Sequence, residues 1–96
     1  MPADMNDAFD RIEKLLEFPA DFPIKIIGQR HDDFAQVIAE LVHQHVPQFD
    51  PATLIIKPSS QGRFLSLTVS VRVDSREQLQ ALYQALADHE MVRIVL

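Results

Sequence analysis

Residues Leu65 to Val73 alternate between apolar and polar without a break. Leu65, Leu67, Val69, Val71 and Val73 interleave with Ser66, Thr68, Ser70 and Arg72. Successive side chains of a strand point to opposite faces, so such a run is a strand buried on one side only. It excludes an all-helical fold and requires a sheet with one covered and one open face. A second strand-like run, Leu54 to Ile56, precedes it, and Lys57-Pro58-Ser59-Ser60-Gln61-Gly62-Arg63 joins the two as a hairpin.

The flanking segments supply helices and two further strands. Asp4 to about Glu17 reads as a helix, with Met5, Phe9, Ile12 and Leu16 on one stripe, widened by Ala8 and Leu15. Phe18-Pro19-Ala20-Asp21-Phe22-Pro23 reads as a stiff connector, because each proline fixes its own φ and disfavours helix in the residue before it. Pro23 to Ile27 is then a short strand closed by Gly28. Asp32 to about His45 is a helix with Asp32 as N-cap; Phe34, Val37, Ile38, Leu41, Val42 and His45 form one face. Ser75-Arg76-Glu77-Gln78 is a capping-box pattern opening a further helix, buried through Leu79, Leu82, Tyr83 and Leu86. Met91 to Leu96 is a final strand. The order after the first helix is β-α-β-β-α-β, which predicts an α+β ferredoxin-like plait with antiparallel strand order 4-1-3-2 and both helices on one face. The expected division is an N-terminal acidic helix and connector over 1–22 and the plait over 23–96.

Length and composition bound the rest. A chain of 96 residues fits one domain and can bury about 60–70% of its unfolded surface. With no cysteine, it has neither disulfides nor thiolate metal ligands, which suits a reducing compartment. No apolar run approaches the ~18–20 residues of a membrane span. The N-terminus lacks the basic-then-apolar pattern of a signal peptide. The expectation is a cytoplasmic protein with no membrane partner. Net charge is −5, with acids concentrated at the N-terminus as Asp4, Asp7, Asp10, Glu13, Glu17 and Asp21 against Arg11 and Lys14. An acidic chain is poorly suited to nucleic acid, whose binding feeds on phosphate neutralisation.

Strand alternation assigns the open sheet face: Lys25 and Ile27, Ile55 and Lys57, Ser66, Thr68, Ser70 and Arg72, and Arg93 and Val95. Lys25, Lys57, Arg72 and Arg93 fall there, and no acid does. Three occupants fit this face: solvent, the acidic N-terminal helix, or an anionic ligand or partner. Base stacking is disfavoured, because the third strand offers Ser66, Thr68 and Ser70 where an RNA-recognition plait places aromatic residues. The short apolar runs at Leu54–Ile56 and Val92–Leu96 are candidate edges for pairing with another chain, a homodimer included.

Several pieces read together resemble the YbeD family of small bacterial proteins. They are Leu15-Leu16-Glu17-Phe18-Pro19, Ile26-Ile27-Gly28-Gln29, Lys57-Pro58-Ser59-Ser60 with Gly62, and the terminal Val92-Arg93-Ile94-Val95-Leu96. The similarity spans roughly residues 12–96; residues 1–11 form a longer acidic lead than the pattern requires. The resemblance implies a ferredoxin-like fold whose shape is similar to ACT domains, small regulatory modules that bind amino acids beside metabolic enzymes. It implies no biochemical role of its own. It does make the loop after the first strand, Gly28, Gln29 and Arg30, a candidate ligand site, since the corresponding ACT loop helps form one.

Other candidates come from the residues themselves. Ser59, Ser60 and the backbone around Gly62, with Lys57 and Arg63 nearby, form a loop able to cup an anion. Lys57 with Ser59 or Ser60 also has the residue types of a nucleophile and base. An ordinary turn, with Pro58 and Gly62 shaping it and the hydroxyls bonding local backbone, accounts for the same residues. His43 and His45 are two apart on a helix and face in different directions, so they cannot share a metal ion. The expectation is therefore a non-enzymatic module without cofactor or metal. It would act as a regulator binding a small anionic or amino-acid ligand, or as a protein-docking adaptor using the open face or an edge strand.

Overall fold

The computed structural model describes residues 17–59 and 61–96. Four strands and two long helices follow in the order β1 (Ala20–Gln29), α1 (Phe34–His45), β2 (Ile55–Pro58), β3 (Phe64–Val73), α2 (Arg76–Asp88) and β4 (Val92–Val95), with a 3-10 turn at Pro51–Thr53. All strand pairs are antiparallel, and the sheet order is β2-β3-β1-β4. The helix expected over 4–17 lies outside the described residues except for Glu17, which is not helical.

One core lies between the sheet and the helices. Ile24 and Ile26 of β1 and Leu67, Val69, Val71 and Val73 of β3 meet Phe34, Ile38 and Val42 of α1 and Leu79, Leu82 and Leu86 of α2. Every one of them is at most 1% exposed. Both helices therefore cover the same sheet face. Ser75 caps α2 by accepting the Gln78 N–H at 3.1 Å. The Gln78 side chain accepts from the Asp74 N–H at 2.7 Å and donates to the His45 carbonyl at 3.0 Å, tying the start of α2 to the end of α1.

The strands depart from their expected limits in three places. First, β1 begins at Ala20 rather than Pro23 and runs through Gly28 to Gln29. Pro23 is tolerated because the backbone of Lys25, two residues on, bonds Leu96 on the β4 side. The missing N–H of Pro23 is thus directed to the same flank, along a stretch of β1 that β4 does not reach. The earlier start brings Asp21 onto the open face opposite Arg72, so that face does hold an acid. Second, Gly28 does not close the strand. It is buried within it, and a Cβ there would meet the Met91 carbonyl oxygen and the Phe34 ring, at 2.5 Å from Cζ.

Third, Arg93 and Val95 are not on the open face. Val95 pairs with Ile26 and Ile94 with Ile27, then the register shifts so that Gly28 faces Val92. Val92 and Val95 both pack against the core, Ile94 takes the outward position, and Arg93 is the extra residue of a bulge. A four-residue strand of Val-Arg-Ile-Val is apolar enough to pair in either register, and the bulge decides which. The cap of α1 also shifts by one. Asp33 occupies the N-cap position without a side-chain cap bond, and its own N–H donates to His31 Nδ1 at 3.1 Å. Asp32 therefore does not cap the helix.

Candidate functional site

The end of β1 and the β2–β3 turn lie side by side. Gln29 pairs with Phe64, and one residue further on the Arg30 N–H donates to the Arg63 carbonyl at 2.9 Å. The turn is closed by the Gly62 N–H on the Ser59 carbonyl and the Ser59 N–H on the Phe64 carbonyl, both at 2.9 Å. Gly62 has φ +71°, the left-handed conformation that favours glycine. Its bare Cα also leaves room for the Arg30 guanidinium, whose Nη1 would lie 3.1 Å from an added Cβ.

The result is a hollow lined by Gln29, Arg30, Gly62, Arg63 and Phe64. It carries two guanidinium groups and no carboxylate. Guanidinium donors match the oxygens of a carboxylate or phosphate, which makes this lining suited to a small anion. A neighbouring hollow shares Gln29 and Arg30 and adds Arg93, but Asp33 and Glu90 line it too and balance its charge.

The sequence-derived candidates are therefore divided. Gln29, Arg30 and Gly62 come together, joined by Arg63. Lys57 and Ser59 line a separate shallow hollow on the open face, with Lys25, Ile27 and Phe64. Gly28 is a packing position, and Ser60 lies outside the described residues. The Ser59 hydroxyl accepts the Phe64 N–H at 3.3 Å, which is the turn-shaping role of a local hydroxyl. No described side chain hydrogen-bonds that hydroxyl as a base would. Arg63 gained its place through a backbone ladder between segments distant in sequence, and nothing local signals that.

On the open face, pairing lays out rows across β2, β3, β1 and β4. One row is Ile55, Thr68 and Lys25, followed by Leu96, which exchanges backbone bonds with Lys25. The next is Lys57, Ser66, Ile27 and Ile94. Further rows are Phe64 with Gln29, Ser70 with Pro23, and Arg72 with Asp21. Arg72 bonds Asp21 at 3.2 Å, leaving Lys25 and Lys57 without a carboxylate partner among the described residues. Ile55 is exposed there as alternation indicates, and Ile94 and Phe64, 49% and 39% exposed, join it in place of Arg93 and Val95.

Elsewhere the described residues show no group of His, Asp or Glu side chains converging as metal ligands, and no helix long and apolar enough to cross a membrane. Burial raises the Tyr83 phenol above its usual pKa of 10.0.

Comparison with known proteins identifies a family and a fold. The family described as protein of unknown function (DUF493) matches residues 13–96. A UPF0250 protein of Bordetella pertussis is 54% identical over 84 residues, spanning 88% of this chain and 92% of the relative. One from Ralstonia nicotianae is also 54% identical, spanning 88% and 87%. Among solved structures, protein HP0495 of H. pylori superposes with TM-score 0.70 at 21% identity, covering 100% of this chain and 94% of that one. The ACT domain of a GTP pyrophosphokinase of Chlorobium tepidum gives 0.60 at 17% identity, covering 79% and 84%. These two likenesses are of fold.

Proposed function

The chain belongs to the DUF493 family, the UPF0250 or YbeD proteins, and from that premise we propose that it is a non-enzymatic regulatory module binding a small anionic ligand, an amino acid or another carboxylate. The observation that carries this is the Arg30–Arg63 backbone bond, which clasps the loop after β1 to the β2–β3 turn and sets two guanidiniums around one hollow. The strand order, which read from the β4 edge is 4-1-3-2, supports a ferredoxin-like plait. Likeness to an ACT domain supports a regulatory use of it. The local bonding of Ser59 supports a site that holds rather than reacts. A cysteine-free composition suits a reducing compartment, and the cytoplasm is the compartment we propose. The test is thermal unfolding with amino acids and inorganic phosphate at millimolar concentration. Saturation at 100 times Kd adds about 2.7 kcal/mol. Arg30→Ala with Arg63→Ala should abolish the shift, and a chain that no such ligand stabilises would refute the reading.

A second reading, a docking adaptor, is favoured by the β2 edge. The Ser59 N–H faces β3, so alternation turns the N–H and C=O of Ile56 to the free side, where Pro58 offers only a carbonyl. Antiparallel pairing of two copies centred on Ile56 would exchange the Ile56 N–H and C=O between them, while the Leu54 N–H stays on the Pro51 carbonyl at 3.2 Å. Light scattering at micromolar concentration reads it out: a dimer that Ile56→Lys dissociates supports it, and a monomer sinks it.

A further inference from the structure

We infer that the hollow between the β1–α1 loop and the α2–β4 turn binds a free α-amino acid with an apolar side chain, held as its zwitterion. This narrows the ligand reading above, on which it rests, from small anions in general to one class. It also places the ligand in the hollow that adjoins the Arg30–Arg63 clasp.

The charge of the hollow selects that class. Its volume is about 480 Å³, within the ~300–1,000 Å³ of small-molecule sites. Arg30 and Arg93 line it together with Asp33 and Glu90, and Val37 and Met91 add apolar surface. Two guanidiniums and two carboxylates share one hollow, yet no ion pair joins any of the four to another described residue. Exposed ion pairs gain little, so nothing draws these groups together and they stay available to a ligand. A lone anion entering here meets the carboxylates of Asp33 and Glu90, and a lone cation meets the guanidiniums of Arg30 and Arg93. A molecule that carries both charges satisfies both sets. Its carboxylate matches the guanidinium donors and its ammonium matches the carboxylate acceptors, while each single charge is penalised.

The fold builds this hollow at several points. The bare Cα of Gly28 admits both the Met91 carbonyl and the Phe34 ring, so the turn into β4 and the start of α1 close on one point of β1. The bulge in β4 gives the outward position to Ile94 and sets Arg93 in the lining. Bulges commonly re-aim a side chain in this way. Both walls are pinned by the same device. His31 Nδ1 accepts the Asp33 N–H and His89 Nδ1 accepts the Met91 N–H, each at 3.1 Å. Walls fixed before a ligand arrives have less ordering to lose when it binds.

The experiment is titration of the isotope-labelled full chain, read by amide chemical shifts. The probes are L-leucine, isocaproate, which lacks its ammonium, isoamylamine, which lacks its carboxylate, and inorganic phosphate. Millimolar L-leucine should move Asp33, Met91 and Arg93 saturably. Isocaproate and isoamylamine should each bind about tenfold more weakly or worse, the effect of losing a charge-assisted hydrogen bond. Isocaproate binding as well as L-leucine overturns the inference and leaves the anion reading standing. L-leucine shifts confined to Gly62 and Arg63 also overturn it, since they put the ligand in the other hollow. No saturable L-leucine shift overturns it alone if phosphate still moves Gly62 and Arg63, and together with the anion reading if phosphate does not. Glu90 is exposed and outside the core, so Glu90→Gln spares the fold. It should weaken L-leucine by about tenfold and leave phosphate unchanged. Unchanged L-leucine affinity would overturn the zwitterion pairing.

Discussion

Alanine at Gly28 tests the packing of β1 against α1 and β4. Gly28 is not among the positive-φ glycines, so its backbone suits any residue. On conformational grounds alone, alanine would add about 0.4–1 kcal/mol by restricting the unfolded chain. The contacts argue the other way. The new Cβ would meet the Met91 carbonyl oxygen, and the Phe34 ring at 2.5 Å from Cζ and 2.8 Å from Cε1. Ordinary carbon contacts lie at ~3.5–4.0 Å, so the ring must retreat by about 1 Å. Phe34 is 0% exposed and sits within the core cluster, so the retreat displaces packed neighbours. The carbonyl belongs to the turn into β4, whose Val92 N–H is bonded to His89. Overpacking of this kind costs about 1–3 kcal/mol, and collision with two neighbours places it at the upper end. After the unfolded-state gain, a net loss of about 2 kcal/mol remains. For a domain of this size that lowers Tm by about 8–16 °C. Urea unfolding of Gly28→Ala measures it. In a Phe34→Leu background the same substitution should cost less, because the ring obstacle is gone and the carbonyl stays. A Gly28→Ala chain within about 0.5 kcal/mol of the parent, the range of neutral surface changes, would refute the close-approach argument.

Other consequences follow from the same geometry. Val95→Asp should destabilise by several times more than Ile94→Asp in denaturant titration, because Val95 packs against the core while Ile94 is 49% exposed. Equal losses would return β4 to the expected register. Ser75→Ala removes the acceptor for the Gln78 N–H and should cost about 1 kcal/mol by the same assay. Tyr83 holds its proton to higher pH folded than unfolded, so its contribution is complete below pH 10.0 and is lost as pH rises above it. Tyr83→Phe should flatten the fall in Tm across that alkaline range, and an unchanged slope would count against burial as the cause.

Much of the fold is legible residue by residue. The alternation of Leu65 to Val73 is reproduced as β3, with Leu67, Val69, Val71 and Val73 buried. Phe34, Ile38 and Val42, and Leu79, Leu82 and Leu86, take the inner faces of their helices. Ser75 caps as its pattern indicates. The site is legible only in fragments. Gln29, Arg30 and Gly62 are visible as loop residues, but their meeting with Arg63 depends on a ladder bond between distant segments. Lys57, equally visible, lands on the other side of the turn, in the hollow of the open face.

What local sequence determines here is periodicity, caps and the glycine of the turn, because each is decided within a few residues by side-chain direction or backbone sterics. Tertiary structure decided the rest. Whether Pro23 breaks a strand depends on whether a neighbour needs its N–H, and β4 does not reach that far. Whether Arg93 faces outward depends on the register shift of β4 between Ile27 and Gly28, which pairing with β1 fixes. Those two outcomes place Asp21 and Ile94 on the open face and remove Arg93 and Val95 from it. The surface that alternation draws with four basic residues and no acid holds, among the described residues, Asp21 against Arg72, the apolar Ile27, Ile55, Phe64 and Ile94, and two lysines without a carboxylate partner.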